Sequence, residues 1–421
     1  MAAANPRVAF AGLGAMGYGM ASHLVKSGFQ VTGYDVYRPS LDKIIAVGGH
    51  AAESPRDAVK DADFFICMVA TSIQATPLLF DPAYGAVISL PQNATILLCS
   101  TVAPAYIDEV SQGLKDAGRS DVRLIDCPVS GGAGRAADGT LSIFSSGDDA
   151  DLAKAHPILA CMSTKLYKIP GGLGGGSKAK LIHQVLAGIH IAMGSETMGL
   201  AAAAGLNTIQ AFDILRKSEG NSWMFTNRVP PMLDRTMPPY SAINIITKDV
   251  GIITTTSRAF KHPLPLLSTS EQLYLTGISA GWGKEDDCVM VRLYLPDRPD
   301  LVAQQALASF ENARSPIVSA IDIRNLMIAV HLAAVSEAMS FCEVLGIDTD
   351  LMFDIVSNAA GASDVFLKYF QPMQQGKWSL KSVPEVEEIR RNLMEAIDKA
   401  YELRYPLFLS SAALQEFNRQ L

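Results

Sequence analysis

Charged side chains are scarce. They make up 18% of the 421 residues, and no long basic block occurs among them. The net charge of −7 and the missing basic stretch argue against a nucleic-acid partner. Cysteine is equally thin. The six (Cys67, Cys99, Cys127, Cys161, Cys288 and Cys342) are scattered, mostly in apolar runs, and none has C-x-x-C spacing. That speaks against a disulfide framework or a zinc site, so no metal is expected. Also missing is an unbroken apolar run able to cross a bilayer. The nearest approach, 185–205, is interrupted by His190, Ser195 and Glu196 and reads as a buried core helix. Residues 1–7 are too short for a signal peptide before the first strand, which predicts a cytoplasmic protein without a membrane partner. What is plentiful is apolar: 49% hydrophobic content predicts an ordered globular chain with two or three domains.

The most informative stretch is VAFAGLGAMGYGMA, starting at Val8. An apolar strand leads into Gly12, Gly14 and Gly17, and a helix-compatible segment follows through Leu24. Strand, G-x-G-x-x-G, helix is the order of a dinucleotide-binding turn. Gly12 permits the tight turn, Gly14 lets the backbone approach a pyrophosphate, and Gly17 lets helix and strand pack closely. Leu13, Ala15 and Met16 complete the turn, whose unpaired N–H groups would hold the anion. A second strand, Gln30–Tyr34, ends at Asp35. A carboxylate there accepts ribose hydroxyls and repels a 2′-phosphate, which favours NAD over NADP. Arg38 nearby keeps NADP open, and a glycine turn without a ligand is the plain alternative.

Strand and helix patterns alternate through the first 170 or so residues. FFICMV (64–69) and TILLC (95–99) are fully apolar, as central strands of a parallel sheet covered on both faces should be. Helices are expected over 54–60 and 107–117, the first with Ser54 as N-cap and Pro55 at its first position. Loops at the carboxyl ends of such strands line the ligand crevice, so Val69, Ala70 and Thr101 are candidate cofactor contacts, or ordinary loop and cap residues. A strand over 122–126 opens into DCPVSGGAGRAADG, where Ser130, Gly131 and Gly132 form a turn able to hold a carboxylate. Further strands are expected over 139–146 and 165–169. Gly171 to Gly176 (GGLGGG) reads as a hinge-like linker, followed by a long helix to about Ala204. Lys180 and His183 are three apart and project from one helix face, either into a cleft or as a solvated lysine and a core-edge histidine.

Four motifs now stand in order: GLGAMGYGMA, DCPVSGG, G-x-G-x-x-x-K from Gly174 to Lys180, and Lys248-Asp249. Together they resemble the β-hydroxyacid dehydrogenases, the group of 3-hydroxyisobutyrate dehydrogenase and tartronate semialdehyde reductase. The resemblance implies an α/β Rossmann domain followed by an all-α domain, and hydride transfer from a small hydroxyacid substrate to NAD. It implies Lys180 as the catalytic general acid/base. It places Ser130, Gly131 and Gly132 on the substrate carboxylate, and Lys248 at the nicotinamide end with Asp249 in support. One departure is informative: members usually carry Asn soon after the lysine, and this chain has His183 followed by Gln184. That K-x-x-H pattern is shared with 6-phosphogluconate dehydrogenases and looks like the L-threonate dehydrogenase branch, as does Asn221-Ser222-Trp223-Met224-Phe225. A four-carbon sugar acid such as L-threonate is therefore favoured, with His183 catalytic and, like Ser222 and Trp223, on the substrate side. The alternatives are a 3-hydroxyisobutyrate dehydrogenase, a tartronate or succinic semialdehyde-type reductase, an imine reductase, and a catalytically silent NAD-binding regulator, which would be expected to lose Lys180. A lysine can take a hydroxyl proton if its pKa falls from about 10.4 towards neutrality.

The last third repeats the helical region. At a shift of 141 residues, His190, Ser195, Glu196, Met198, Gly205, Phe212, Asp213, Gly220, Ser222 and Phe225 match His331, Ser336, Glu337, Met339, Gly346, Phe353, Asp354, Gly361, Ser363 and Phe366. After a two-residue insertion Pro263 matches Pro406. The copy has lost its chemistry: Ile321, Arg324, Arg391 and Asn392 stand for Lys180, His183, Lys248 and Asp249. The expected layout is a Rossmann domain over 1–172, a helical catalytic domain over 173–296, a linker over 297–317, and a degenerate helical copy over 318–421 packed on the first. The assembly is expected to be a monomer or homodimer.

Overall fold

A computed structural model describes residues 5–307 and 316–421. Its contacts divide the chain into two compact units that meet in sequence between Lys180 and Leu181. Of the expected linker 297–317, residues 308–315 lie outside the described residues, as do residues 1–4, while its earlier part carries the helix Leu301–Leu307 with Leu301 and Val302 buried.

The first unit is built on a six-stranded parallel sheet. Its strands are β1 (Arg7–Ala11), β2 (Gln30–Tyr34), β3 (His50–Ala51), β4 (Phe64–Cys67), β5 (Thr95–Leu98) and β6 (Arg123–Asp126). They lie in the order β3-β2-β1-β4-β5-β6, all neighbours parallel. The crossover between β1 and β4 creates the switch point at which such sheets hold ligands. The unbroken apolar runs follow from burial on both faces. Val8, Phe10, Ile66, Leu97 and Ile125 enter one core, and Ala9, Ala11, Phe65, Cys67, Ile96 and Leu98 the other. Three short strands, β7 (Val129–Ser130), β8 (Leu141–Ser145) and β9 (Ser163–Lys168), form a second sheet.

Two readings change. The helix expected over 54–60 is a single turn, Pro55–Ala58, although Ser54 caps it as foreseen. The glycine run is not a uniform hinge. Gly171, Gly172 and Gly174 have positive φ, but Gly175 already begins the long helix Gly175–Ala203. A Cβ on Gly176 would sit 2.1 Å from the Phe144 carbonyl oxygen, so close packing rather than freedom requires that glycine.

The second unit is helical. After the long helix come Thr208–Leu215, Trp223–Arg228, Ile243–Ala259 and Pro265–Ser279. A second run follows: Ala320–Val344, Thr349–Ser357, Asp364–Gln375, Val386–Glu402 and Phe408–Gln420. Its helices keep the sequence offset. Thr208 and Thr349 begin matching helices, as do Trp223 and Asp364, Ile243 and Val386, and Pro265 and Phe408. Both long helices are apolar and long enough to cross a membrane, yet their apolar windows are mostly buried inside the protein.

Contacts between the two runs are reciprocal. The Glu196 carboxylate accepts the N–H groups of Leu409 (2.9 Å) and Ser410 (3.0 Å). Glu337 accepts those of Leu266 (2.6 Å) and Leu267 (3.2 Å). Trp223 N–H donates to the Ala362 carbonyl (2.9 Å), and Asp364 N–H to that of Asn221 (3.1 Å). His190 and His331 meet ring to ring at 4.2 Å. Residue i on j matched by j′ on i′ is the contact pattern of an isologous interface.

Candidate active site

In the first unit the glycine turn is set by close backbone approach. Gly12 lies at φ +91°, and a Cβ there would fall 2.3 Å from the Met68 carbonyl oxygen. On Gly17 it would fall 1.8 Å from the Gly12 carbonyl oxygen. Gly14 differs, because nothing lies within 4 Å of where its Cβ would be. It is the N-cap of the helix Ala15–Lys26, with no side chain capping the first turn. Those N–H groups under open space fit a pyrophosphate. At the end of β2 the Asp35 carboxylate accepts N–H bonds from Leu13 (2.6 Å) and Tyr37 (2.8 Å), which fixes its position. Arg38 is bonded to Asp42 (3.1 Å) and Glu53 (3.5 Å). A groove of about 700 Å³ is lined by Gly12, Gly14, Asp35, Val69 and Ala70. Thr101, half-buried beyond β5, is not among the lining residues. An extended dinucleotide fits these parts: phosphates on the turn, a ribose on Asp35.

Ser130 is buried at the end of β7, followed by Gly131 at φ +141° and Gly132 at φ +77°. Only glycine holds such a pair of conformations without strain. No neighbour stands within 4 Å of the Gly132 Cβ position, so its backbone is approachable. The anchor of the long helix was missed by sequence reasoning. Buried Asp126, first residue of DCPVSGG, accepts the Ser177 N–H (2.7 Å) and hydroxyl (2.8 Å) and the Ser146 hydroxyl (3.3 Å). Burial pushes the Asp126 carboxyl up to about 6 against those bonds, which favour the anion. Lys180 follows one turn after Ser177 and is itself buried. The sequence signal was available: an acid ending a strand, and a serine directly after a glycine run.

In the second unit His183 is fully buried. Its Nε2 accepts the Gly361 N–H (2.9 Å), and its Nδ1 lies 3.0 Å from Gln184 Oε1. Gln184 Nε2 donates to Asp249 Oδ2 (2.7 Å), and Asp249 Oδ1 is paired with Lys248 Nζ (2.8 Å). The candidates His183, Asp249 and Lys248 thus form one connected set, with Gln184 as the link between His183 and Asp249. Ser222 is buried and caps the helix Trp223–Arg228 by accepting the Phe225 N–H. Trp223 is 38% exposed and so has surface to offer a ligand. Among the described residues no group of three or more His, Cys, Asp or Glu gathers as a metal site.

Known families match most of the chain. The family profile described as the NAD binding domain of 6-phosphogluconate dehydrogenase matches residues 7–171. The profile described as NAD-binding of NADP-dependent 3-hydroxyisobutyrate dehydrogenase matches 174–294 and again 323–420. The chain is similar to an L-threonate dehydrogenase of Cupriavidus necator, 35% identical over 283 residues, 67% of this chain and 94% of that protein. Among solved structures it resembles a Salmonella typhimurium protein described as 3-hydroxyisobutyrate dehydrogenase, with TM-score 0.64 and 34% identity over 69% of this chain and all of that one. A Plasmodium falciparum 6-phosphogluconate dehydrogenase shares the fold over 98% of this chain and 92% of its own, with TM-score 0.69 and 12% identity.

Proposed function

This chain belongs to the 3-hydroxyisobutyrate dehydrogenase-like family of nicotinamide-dependent hydroxyacid dehydrogenases, and from that premise we propose that it oxidises a four-carbon sugar acid such as L-threonate with NAD. The buried Lys180, held one helical turn beyond the Asp126–Ser177 anchor, carries the reading. Substrate class follows the L-threonate relatives. A 3-hydroxyisobutyrate-type acid is the second reading, favoured by the description of the Salmonella neighbour. The choice of NAD rests on the fixed Asp35 carboxylate and on the carboxylates that already neutralise Arg38.

In this reading the bound cofactor supplies the hydride acceptor. Gly12, Leu13, Gly14, Ala15, Met16 and Gly17 seat its phosphates, Asp35 its ribose, and Val69 and Ala70 flank it, with Lys248 towards the nicotinamide; Thr101, which does not line the groove, is left without that role. Ser130, Gly131 and Gly132 hold the substrate carboxylate. Lys180 takes the hydroxyl proton as the C–H hydride leaves, and returns a proton to the alkoxide in the reverse direction. Trp223 supplies substrate-side surface. Ser222, His183 and Asp249, already bonded within the protein, shape that side rather than move a proton. Residues 318–421 act as a degenerate helical copy packed on the first; the recurring profile, the matching helix starts and the reciprocal contacts support this. A cytoplasmic location accords with six free cysteines.

The test is a panel of C3–C6 hydroxyacids with NAD and with NADP, read by nicotinamide absorbance. L-threonate with NAD should give the highest kcat/KM. Absence of turnover across the whole panel would sink the dehydrogenase reading in favour of a silent cofactor-binding protein.

A further inference from the structure

The bonding around His183 has a direction. A backbone N–H can only donate, so the Gly361 bond at 2.9 Å makes His183 Nε2 an acceptor and leaves the ring proton on Nδ1. Nδ1–H then donates to Gln184 Oε1. That turns the other end of the amide, Nε2, towards Asp249 Oδ2 at 2.7 Å. The second Asp249 oxygen meets the Lys248 ammonium at 2.8 Å. Gly361 thus begins a series of donors and acceptors that ends on Lys248.

Gly361 belongs to the second helical run, on the turn before Asp364–Gln375. Glycine suits the position because a Cβ would come 3.1 Å from the His183 carbonyl oxygen and 3.2 Å from its Cδ2. The matching glycine of the first run, Gly220, approaches Arg324 in the same way, with its Cβ position 3.2 Å from the Arg324 carbonyl oxygen. The two seats are alike, but only one holds an imidazole. The run that lacks counterparts of Lys180 and Lys248 therefore still touches the ring three residues beyond Lys180, and that ring is joined to Lys248 through Gln184 and Asp249.

We propose that Gly361 is a positioning residue for the dehydrogenase site: its N–H fixes the His183 tautomer and, through Gln184 and Asp249, the place of Lys248. The assignment rests on the proposed function for its effect on turnover, but not for its effect on the ring.

The test uses the full chain with ¹⁵N-labelled histidine. Long-range ¹H–¹⁵N correlation reads each ring nitrogen, and His183→Gln identifies the His183 signals by their loss. The wild type should show a single Nδ1–H tautomer. Gly361→Ala should give mixed tautomers and at least a tenfold loss of kcat, with the Kd for NAD within twofold. Gln184→Leu breaks the next link without touching the turn and should give the same kcat loss, which keeps the idea testable if Gly361→Ala folds poorly. A wild-type His183 protonated on Nε2 overturns the proposal whatever the activity. So does a folded Gly361→Ala protein with altered tautomer and unchanged kcat. If the wild type turns over no hydroxyacid, the functional reading falls, while the ring-nitrogen spectra still decide whether Gly361 sets the tautomer.

Discussion

Removing the Glu337 carboxyl group should loosen the two helical runs by a measurable amount. Glu337 is buried, and its oxygens accept N–H bonds from Leu266 and Leu267 at the start of the helix Pro265–Ser279. Glu337→Ala orphans both donors. A buried unsatisfied donor costs about 1–3 kcal/mol, so the gross loss is about 2–6 kcal/mol. Part is returned, because the carboxyl itself is poorly solvated: burial pushes it up to about 8, so it is mostly protonated at neutral pH. A net loss of about 2–4 kcal/mol remains, equivalent to a fall of about 1 M in the urea midpoint for a unit of this size. Trp223, Trp282 and Trp378 all lie in the second unit, so tryptophan fluorescence reports its unfolding alone. Glu337→Gln keeps one acceptor oxygen and should lose less than half as much. The sign with pH is fixed as well. An acid with a raised folded pKa stabilises the fold fully below its unfolded value near 4.5, and that contribution fades as pH rises through about 8. Wild-type stability should therefore decline over that window more steeply than that of Glu337→Gln. An alanine variant with the wild-type midpoint would refute the idea that this carboxyl group pins the helix.

Four further outcomes are expected. NAD should be preferred over NADP by at least tenfold in kcat/KM, about 1.4 kcal/mol, and Asp35→Ala should narrow the gap; equal use of NADP by the wild type removes the role given to Asp35. Lys180→Ala should lower kcat by about 10²–10⁴ while NAD still binds by fluorescence titration; retention of a tenth of the activity would point to another proton carrier. Burial pushes His331 down to about 3 and His190 well below its ordinary value, so their contribution to stability is present above about 6.5 and lost as pH falls. His331→Leu should flatten that acid limb in thermal melts, and an unchanged limb would assign it to other groups. A chain truncated after residue 300 would lose the partners of Glu196 and should self-associate or aggregate in light scattering, whereas a soluble, fully active monomer would deny the second run its packing role.

Much of the first unit was legible because its signals are local. The turn Gly12-Leu13-Gly14 and the strand Gln30–Tyr34 ending at Asp35 carry their own geometry, and the fully apolar β4 and β5 announce a doubly covered sheet. The helix Ser72–Phe80 was not read, since its buried residues Ala75, Leu78 and Leu79 make only a weak stripe around Pro77. At the candidate site the individual residues were legible and their partners were not. His183 and Asp249 could be singled out, but that Gln184 joins them depends on a fold bringing together positions 65 residues apart. Gly361 stood in the sequence only as a match to Gly220, because a backbone N–H has no residue type to advertise it. Asp126 was overlooked although it sits inside a quoted motif. Its partners Ser146 and Ser177 lie 20 and 51 residues away, and only the fold brings them to it.

The His190–His331 contact has an evolutionary side. On the axis of a homodimer a side chain meets its own copy, because one codon writes both. Any replacement there must tolerate itself, so an acid would face an acid and a large ring a large ring. Here the two rings are written by separate codons. Either can change alone, and pairings closed to a homodimer, such as histidine opposite aspartate, are open to this chain. The same freedom extends to every matched pair, including Lys180 with Ile321 and His183 with Arg324, whose two members differ.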